Sequence, residues 1–354
     1  MRIRLERRDG TPVWFGLALP AVAVLVTLIL CSGLVALAHA EVMTAYAQLF
    51  LTPFSTGFDL VETAVKTAPL ILTGLAVSVA FRARFWNIGA EGQLYAGAMA
   101  AAFIGERQGL PAWSLVPLMI LCGAAAGGAW ALLPAVLRTR LKVDDVVTTL
   151  LLNFILLYGM SALLDGPWKD PLSGYPDSPD IRPEAEFPVL AGTSRLHLGV
   201  LVALIAAPIV WFVMTRTTLG FAIRAVGENA RAAAYGGIRT GWTILATAMV
   251  SGGLAGLAGV GEAGGVHFQV TADLSPGYGY TGIVIAMLAR LNPLGVVPAA
   301  LFFAVIMTGA EGMSRATNVP VFLADVIQGV ALLSMLTALL FTQYRLLFRR
   351  QTLG

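Results

Sequence analysis

The chain has 354 residues, of which 57% are hydrophobic and 12% charged, with a formal net charge of +3 at pH 7. Uncharged runs of about eighteen residues or more recur along it, which marks a polytopic helical membrane protein rather than a soluble domain. The positive charge comes mostly from arginines at the ends of apolar runs, so it reports topology and gives no reason to expect nucleic acid as a partner. Cys31 and Cys122 each lie inside an apolar run and read as neither a disulfide nor a metal site.

Arg2, Arg4, Arg7 and Arg8 precede an apolar stretch that ends near Ala38-His39-Ala40, the outline of a secretory signal. The uncharged stretch 13–38 is too long for a signal h-region and is expected to remain as a first spanning helix. Further apolar runs place spans at 62–81, 87–105, 113–137, 146–164, 197–215, 241–262, 278–291, 294–311 and 320–341. The fold class expected is therefore an all-α membrane protein, a bundle of about ten transmembrane helices. The third, eighth and ninth runs are short or rich in glycine and proline. They are expected to be broken or re-entrant, which a membrane tolerates where protein or a water-filled cavity covers the backbone.

Placing the N-terminus inside puts 17 of the 23 lysines and arginines on inside segments. Lys66, Arg107, Lys169, Arg182, Arg195 and Arg315 are left outside. This bias orients both termini to the cytoplasm and requires an even number of spans. The one long outside segment, 165–196, holds six prolines, which exclude a long helix. It is either an ordered cap on the outer mouth or a spacer loop.

Several chemistries have no residues to support them. None of the three lysines follows a glycine, so there is no Walker A loop. His39, His197 and His267 are too scattered to hold a metal. G-x-G-x-x-G occurs at Gly259/Gly261/Gly264 and Gly277/Gly279/Gly282, but neither opens a helix after a strand, so no dinucleotide site is assigned. No catalytic nucleophile is assigned either. The spacings Gly123/Gly127, Gly252/Gly256 and Gly261/Gly265 are expected to mark close helix packing in lipid.

Polar residues inside spans are costly and tend to face the bundle interior or a water path. The densest group is Asn87, Glu91 and Gln93, with Asn87 and Glu91 four apart and so on one helix face. Glu91 needs to be paired, protonated or wet. The group reads as a path lining, as a hinge at the centre of the bundle, or as a helix-end cluster near Arg82 and Arg84. Asn153 reads as an interhelical hydrogen bond before a ligand contact. Glu262, Asp273 and Glu311 fall near outer helix ends, where a charge costs little; Asp325 is placed to pair with Arg315, and Asp144 and Asp145 sit at an inner helix start, where carboxylates suit the dipole.

Between two long apolar runs lies a basic stretch, 216–242, with Arg216, Arg224, Arg231 and Arg239. Its alanine-rich middle, 228–235, is expected to form about two turns of helix, ended by Gly236 and Gly237. It reads either as a solvated inside loop obeying the positive-inside rule or as a docking element.

Four segments together are similar to a known family: 68–102, containing FRARFWNIGAEGQLYAG; TTLLLNFI at 148–155; TTLGFAIRAVGENARAAAYGGI at 217–238; and SPGYGYTGIVIAMLARLNPLGVVPAALFFA at 275–304. They resemble the permease subunits of ABC importers, in the group that includes ribose-type and branched-chain amino acid permeases. The resemblance is nearest to nucleoside (guanosine-type) permeases that work with a BMP-family lipoprotein. Trp86 stands where that family leads one to expect phenylalanine.

The resemblance implies one transmembrane permease domain over 1–354, with a cytoplasmic N-terminus at 1–12, an outer loop at 165–196 and a cytoplasmic coupling loop at 216–240. It implies that Arg224, Gly227, Glu228, Asn229, Ala232 and Gly236 seat a partner ATPase. ATP and magnesium are then used on that ATPase, and this chain binds no cofactor. The other implied partners are a second permease chain, giving a heterodimer, and an extracytoplasmic substrate-binding lipoprotein, at the bacterial inner membrane. Asn87, Glu91, Gln93 and Asn153 are the candidates for the translocation path. A nucleoside is the expected substrate. A simple sugar such as ribose is the alternative, and an ion-coupled secondary transporter is the alternative class.

Overall fold

The structure, a computed structural model, describes residues 2–7, 15–38, 40–190, 192, 194–317, 344–349 and scattered positions between 323 and 338. His39, Asp325 and much of the expected last span lie outside the described residues. The chain divides into two units, residues 1–59 with 305–354, and residues 60–304.

The first unit contains α1 (Phe15–Leu37), α2 (Val42–Ser55) and one pair of strands, β1 (Arg2–Arg7) and β2 (Tyr344–Arg349). The strands pair antiparallel, Arg2 opposite Arg349 and Arg7 opposite Tyr344. The fold is otherwise helical among the described residues, and the alternation of Arg2, Arg4 with Ile3, Leu5 is the period-two pattern that favours this short strand pair. The pairing joins the first and last described segments. α2 was absent from the expected spans because its 14 residues are too few to cross a bilayer. It packs on α1, where the Tyr46 hydroxyl donates to the Leu28 carbonyl at 2.5 Å, and on Gly309 and Gly312, whose Cα atoms lie against Leu49 and Thr52.

The second unit runs from Leu60 within α3 (Gly57–Arg82) through α4 (Ala90–Gly105), α5 (Ala112–Val136) and α6 (Asp145–Leu164). It continues with α7 (Leu198–Arg216), α8 (Thr218–Glu228), α9 (Ala230–Tyr235), α10 (Thr240–Glu262) and α11 (Tyr278–Leu288), and takes in the start of α12 (Pro293–Thr317). Single π turns, Leu137–Leu141 and Ala263–His267, extend α5 and α10. Among the described residues, six helices are long and apolar enough to cross a membrane, those of α3, α5, α6, α7, α10 and α12.

The core of this unit is the close approach of α4, α5 and α10. A Cβ on Gly97 would collide with the backbone of Gly256, and one on Gly127 with the backbones of Gly252 and Gly256, so small residues let these helices touch main chain to main chain. This is the contact expected from the first two glycine pairs. The third pair behaves otherwise, because Gly261 faces nothing within 4 Å and Gly265 lies against the ring of His197. Around the core, α6 and α7 expose Leu151, Phe154, Ile155, Ile205, Ile209 and Phe212, an outer surface suited to lipid.

α4 has 16 residues behind a non-helical entry and α11 has 11, as expected for broken segments. The ninth run is corrected, because α12 is unbroken over 25 residues. Pro293 opens it, where a missing amide donor costs nothing, and Pro298 lies inside it, forgoing one backbone bond without breaking the helix.

Candidate functional site

Breaking the chain between α3 and α4 frees backbone polar groups that must find partners away from water. Arg84 takes φ 53° and the segment 85–89 is non-helical. Its partners come from one stripe of α6, in which Asp145, Thr149 and Asn153 recur every four residues and are all buried. Trp86 N donates to Asp145 Oδ2 at 2.7 Å and Ile88 N to Thr149 Oγ1 at 3.2 Å. Asn153 Nδ2 donates to Ile88 O at 3.0 Å and to the Tyr280 hydroxyl at 3.2 Å, while its Oδ1 accepts from Gly92 N at 2.9 Å. Sequence reasoning picked Asn153 alone, although the four-residue polar spacing in an otherwise apolar helix was the signal for all three.

Asn87 and Gln93 form a reciprocal amide pair, both bonds 2.8 Å, and Asn87 Nδ2 also donates to Ser251 Oγ at 2.9 Å. Ser251 Oγ in turn donates to Ala76 O at 2.7 Å, which ties α10 to α3. Asn87 precedes α4, so the expectation that Asn87 and Glu91 share a helix face is corrected. Glu91, 3% exposed, meets the start of α11 instead. Its Oε2 accepts from Gly279 N at 2.6 Å, and Ser275, Gly277 and Tyr280 lie around the carboxyl. A carboxylate at a helix N-terminus takes up orphan amides and meets the positive end of the dipole, a fourth solution beside pairing, protonation and hydration. The four candidate path residues are thus gathered around the start of α4, each with hydrogen-bond partners within the chain.

At the end of this break nearest Arg84, Arg138 pairs with Asp145 and donates to Arg84 O at 2.7 Å. Arg82 donates from Nε and Nη2 to Leu291 O, both at 3.3 Å, where Arg290 and Leu291 form a positive-φ turn between α11 and α12. Asp144 caps α6 by accepting from Val147 N at 3.0 Å, the placement expected from the dipole.

α8 lies against this end. Thr217 caps it, and its buried face is Gly220, Ile223, Val226 and Gly227, the three- and four-residue spacing of one helix side. Any Cβ on Gly227 would overlap the carbonyl oxygen of Arg82, so α8 is seated backbone to backbone on the end of α3. The expected helix over 228–235 is corrected, since Glu228 closes α8 and Asn229 is extended, with φ −156° and ψ 103°. Asn229 Oδ1 accepts from Arg231 N at 3.0 Å and Ala232 N at 3.1 Å. An asparagine that caps a new helix competes with continuing the old one, and here capping prevails. α9 then ends at Gly236 and at Gly237, which has φ 85°.

Within α9, Ala233 is the buried residue, while Tyr235 is 95% exposed and Trp242 just beyond is 70% exposed. A groove of about 390 Å³ runs beside this seat, lined by Arg84, Arg138, Gly227, Glu228, Asn229 and Arg231 among others. Sequence reasoning selected Gly227, Glu228 and Asn229 and missed Phe221 and Tyr235, large apolar side chains left exposed in a basic loop.

The opposite loop is an ordered cap over its described residues. Ser178 N donates to Val270 O at 3.0 Å, Ile181 N to Phe268 O at 2.8 Å, and Phe187 N to Gly264 O at 2.8 Å. Ile181, Ala185 and Phe187 are buried beneath it. His197 is buried at its edge, where its Nδ1 accepts from Gly199 N at 3.1 Å. Burial, and then the charge of Arg195, push the imidazole down to about 4, so the ring is neutral at pH 7. Glu262 beside it corrects the expectation of a cheap surface charge, because it is 3% exposed, with His267 Nδ1 3.6 Å from its carboxylate.

Residues 60–336 match the family described as branched-chain amino acid transport system / permease component. A glucose ABC transporter permease protein of Haloferax volcanii is 35% identical over 98% of this chain and 93% of its own length. A guanosine ABC transporter permease protein of Bacillus subtilis is 34% identical over 90% and 92%. A nucleoside ABC transporter permease protein of Lactococcus lactis is 32% identical over 76% and 77%. The chain therefore belongs to the permease components of ABC transporters described as branched-chain amino acid transport system / permease component, multi-pass membrane subunits that are themselves non-catalytic and work with a separate ATPase and a substrate-binding partner.

Proposed function

We propose that this chain forms half of the path of an importer for a nucleoside, and that α8 and α9 receive the stroke of the partner ATPase. The observation that carries the coupling reading is Gly227, seated without room for a Cβ on the carbonyl of Arg82. A push on α9 reaches the α3–α4 turn through that contact with no flexible side chain between. From the turn, Arg84 O and Trp86 N lead by hydrogen bonds to Arg138 and Asp145. In this reading Arg224, Gly227 and Asn229 hold the seat, and Glu228, Ala232 and Gly236 shape the surface offered to the ATPase. ATP and magnesium act on that partner and this chain binds no cofactor. Asn87, Glu91, Gln93 and Asn153 act at the path by fixing the broken start of α4, the hinge alternative, rather than by displaying open polar atoms to substrate.

The same reading places about ten helices across a bacterial inner membrane, with both termini and the 216–240 loop in the cytoplasm, a second permease chain as heterodimeric partner, and the 165–196 cap facing the binding lipoprotein. The two nucleoside-type relatives support the substrate, and the glucose relative supports a sugar as the second reading. Both substrates present a hydroxyl-bearing ring, and the base is what separates them.

Mild-detergent purification of the chain from its native membrane, with identification of what comes with it, tests the assembly. An ATPase, a second permease and a lipoprotein are expected, and the lipoprotein, titrated with nucleosides and with hexoses, should bind a nucleoside. Hexose binding alone moves the assignment to the sugar reading. A chain that emerges only with itself and transports independently of ATP overturns the proposal.

A further inference from the structure

A second cavity, of about 380 Å³, lies between the ends of α3, α7 and α8 and the turn before α12. Arg82 and Arg224 both line it, Ser78, Trp211 and Met214 complete much of its wall, and no carboxylate is among its described lining residues. Two guanidinium groups beside one cavity with no counter-charge repel each other and favour an anion between them. Arg82 is held in place by its bonds to Leu291 O. Arg224 Nη1 is buried with no partner, and so is the hydroxyl of Ser78, a residue only 1% exposed. Buried polar atoms are nearly always satisfied, so two orphans on residues that line one cavity point to a missing acceptor. The space is far larger than one bridging water requires.

We infer that this cavity binds a phosphate-bearing anion, with Arg224 and Arg82 supplying charge-assisted donors and Ser78 a neutral one. Guanidinium groups match phosphate oxygens in geometry as well as charge. α7 carries the exposed Ile209 and Phe212 beside Trp211, which sets the cavity next to a lipid-facing surface. The phosphate therefore has two possible sources, a phospholipid headgroup or a soluble phosphate, with the same recognition chemistry. Binding is measured without ATP or transport, so the inference stands apart from the coupling reading.

The test uses the purified transporter and two probes, inorganic phosphate and vesicles of phosphatidylcholine with or without phosphatidylglycerol. One saturable site per chain is expected. Stronger retention of phosphatidylglycerol than phosphatidylcholine assigns the headgroup, whereas phosphate binding that phosphatidylglycerol does not displace assigns the soluble source. Arg224→Gln should weaken binding by about ten- to a hundredfold, the loss of one charge-assisted bond, while Arg224→Lys keeps most of it. Ser78→Leu removes the hydroxyl and intrudes on the cavity with both charges intact and should weaken binding by about tenfold, which keeps the test decisive if Arg224→Gln does not assemble. No saturable binding of either probe to the wild-type protein overturns the inference, as does binding unchanged in both Arg224→Gln and Ser78→Leu.

Discussion

The α3–α4 turn and the α8–α9 seat are both short interruptions of helix, at neighbouring positions, and both are dense in polar residues. They differ in where those polar groups find partners. In the turn, Asn87, Gln93, Asn153, Thr149 and Asp145 are buried and bonded to one another or to backbone within the chain. In the seat, Glu228, Arg231, Tyr235 and Trp242 point away from the chain, while Thr217 and Asn229 are spent on local capping. The first arrangement is what a membrane demands of irregular backbone. The second is what a surface made for another protein leaves uncovered, with large apolar side chains beside charged ones.

Their point of contact is Gly227, and changing it should have the largest effect. Gly227→Val cannot keep α8 on the Arg82 carbonyl, so ATP-driven uptake should fall to background while the protein still reaches the membrane in normal amount. Uptake assays with membrane levels measured in parallel check this, and undiminished transport would remove the coupling assignment. A disturbance confined to the turn should behave differently. Asn87→Leu strips partners from Gln93 and Ser251, and each buried group so orphaned costs about 1–3 kcal/mol. Lower thermal stability in detergent is expected even with no ATPase present. If stability is unchanged, the network is not what holds the turn.

Much of this contrast was legible in the sequence, and the reasons it was partial are physical. Long apolar runs located α3, α5, α6, α7 and α10 because length and hydropathy are local properties. The short α2 left no such trace, and neither did the strand pair, which depends on segments more than three hundred residues apart meeting in space. Gly227 stood out through family resemblance, but its reason, the carbonyl beneath it, is a tertiary fact. Glu91 was recognised as expensive, while its remedy, the amides at the start of α11, lies nearly two hundred residues away. The buried stripe Asp145, Thr149, Asn153 was readable from spacing alone and was missed because Asp145 was assigned to the helix dipole.

The far loop gives a third prediction, smaller and dependent on pH. His197 titrates near 4 in the folded chain against an ordinary value of about 6.5, so the unfolded chain binds more protons between those limits. Its contribution is therefore fully present above about pH 6.5 and falls as pH drops toward 4, by at most about 1.4 kcal/mol per unit. Hydrogen exchange of the amides around 187–199 should quicken over that window, and His197→Gln should flatten the change. Because the seat and the turn lie elsewhere, Gly227→Val should leave this pH profile as it is.

The smallest effect is expected at Asn229, and it sharpens the contrast most finely. Its side chain caps α9 through two amides, which is worth about 1 kcal/mol, so Asn229→Ala should loosen α9 and lower uptake several-fold rather than abolish it. Serine also caps helices but cannot reproduce an amide donor to a partner. Asn229→Ser should therefore restore most of the uptake if this residue serves only the geometry of the seat. Uptake as low for serine as for alanine would show that the amide itself touches the ATPase, which would place Asn229 with the outward-facing residues of the seat and leave Gly227 as the link between the two interruptions.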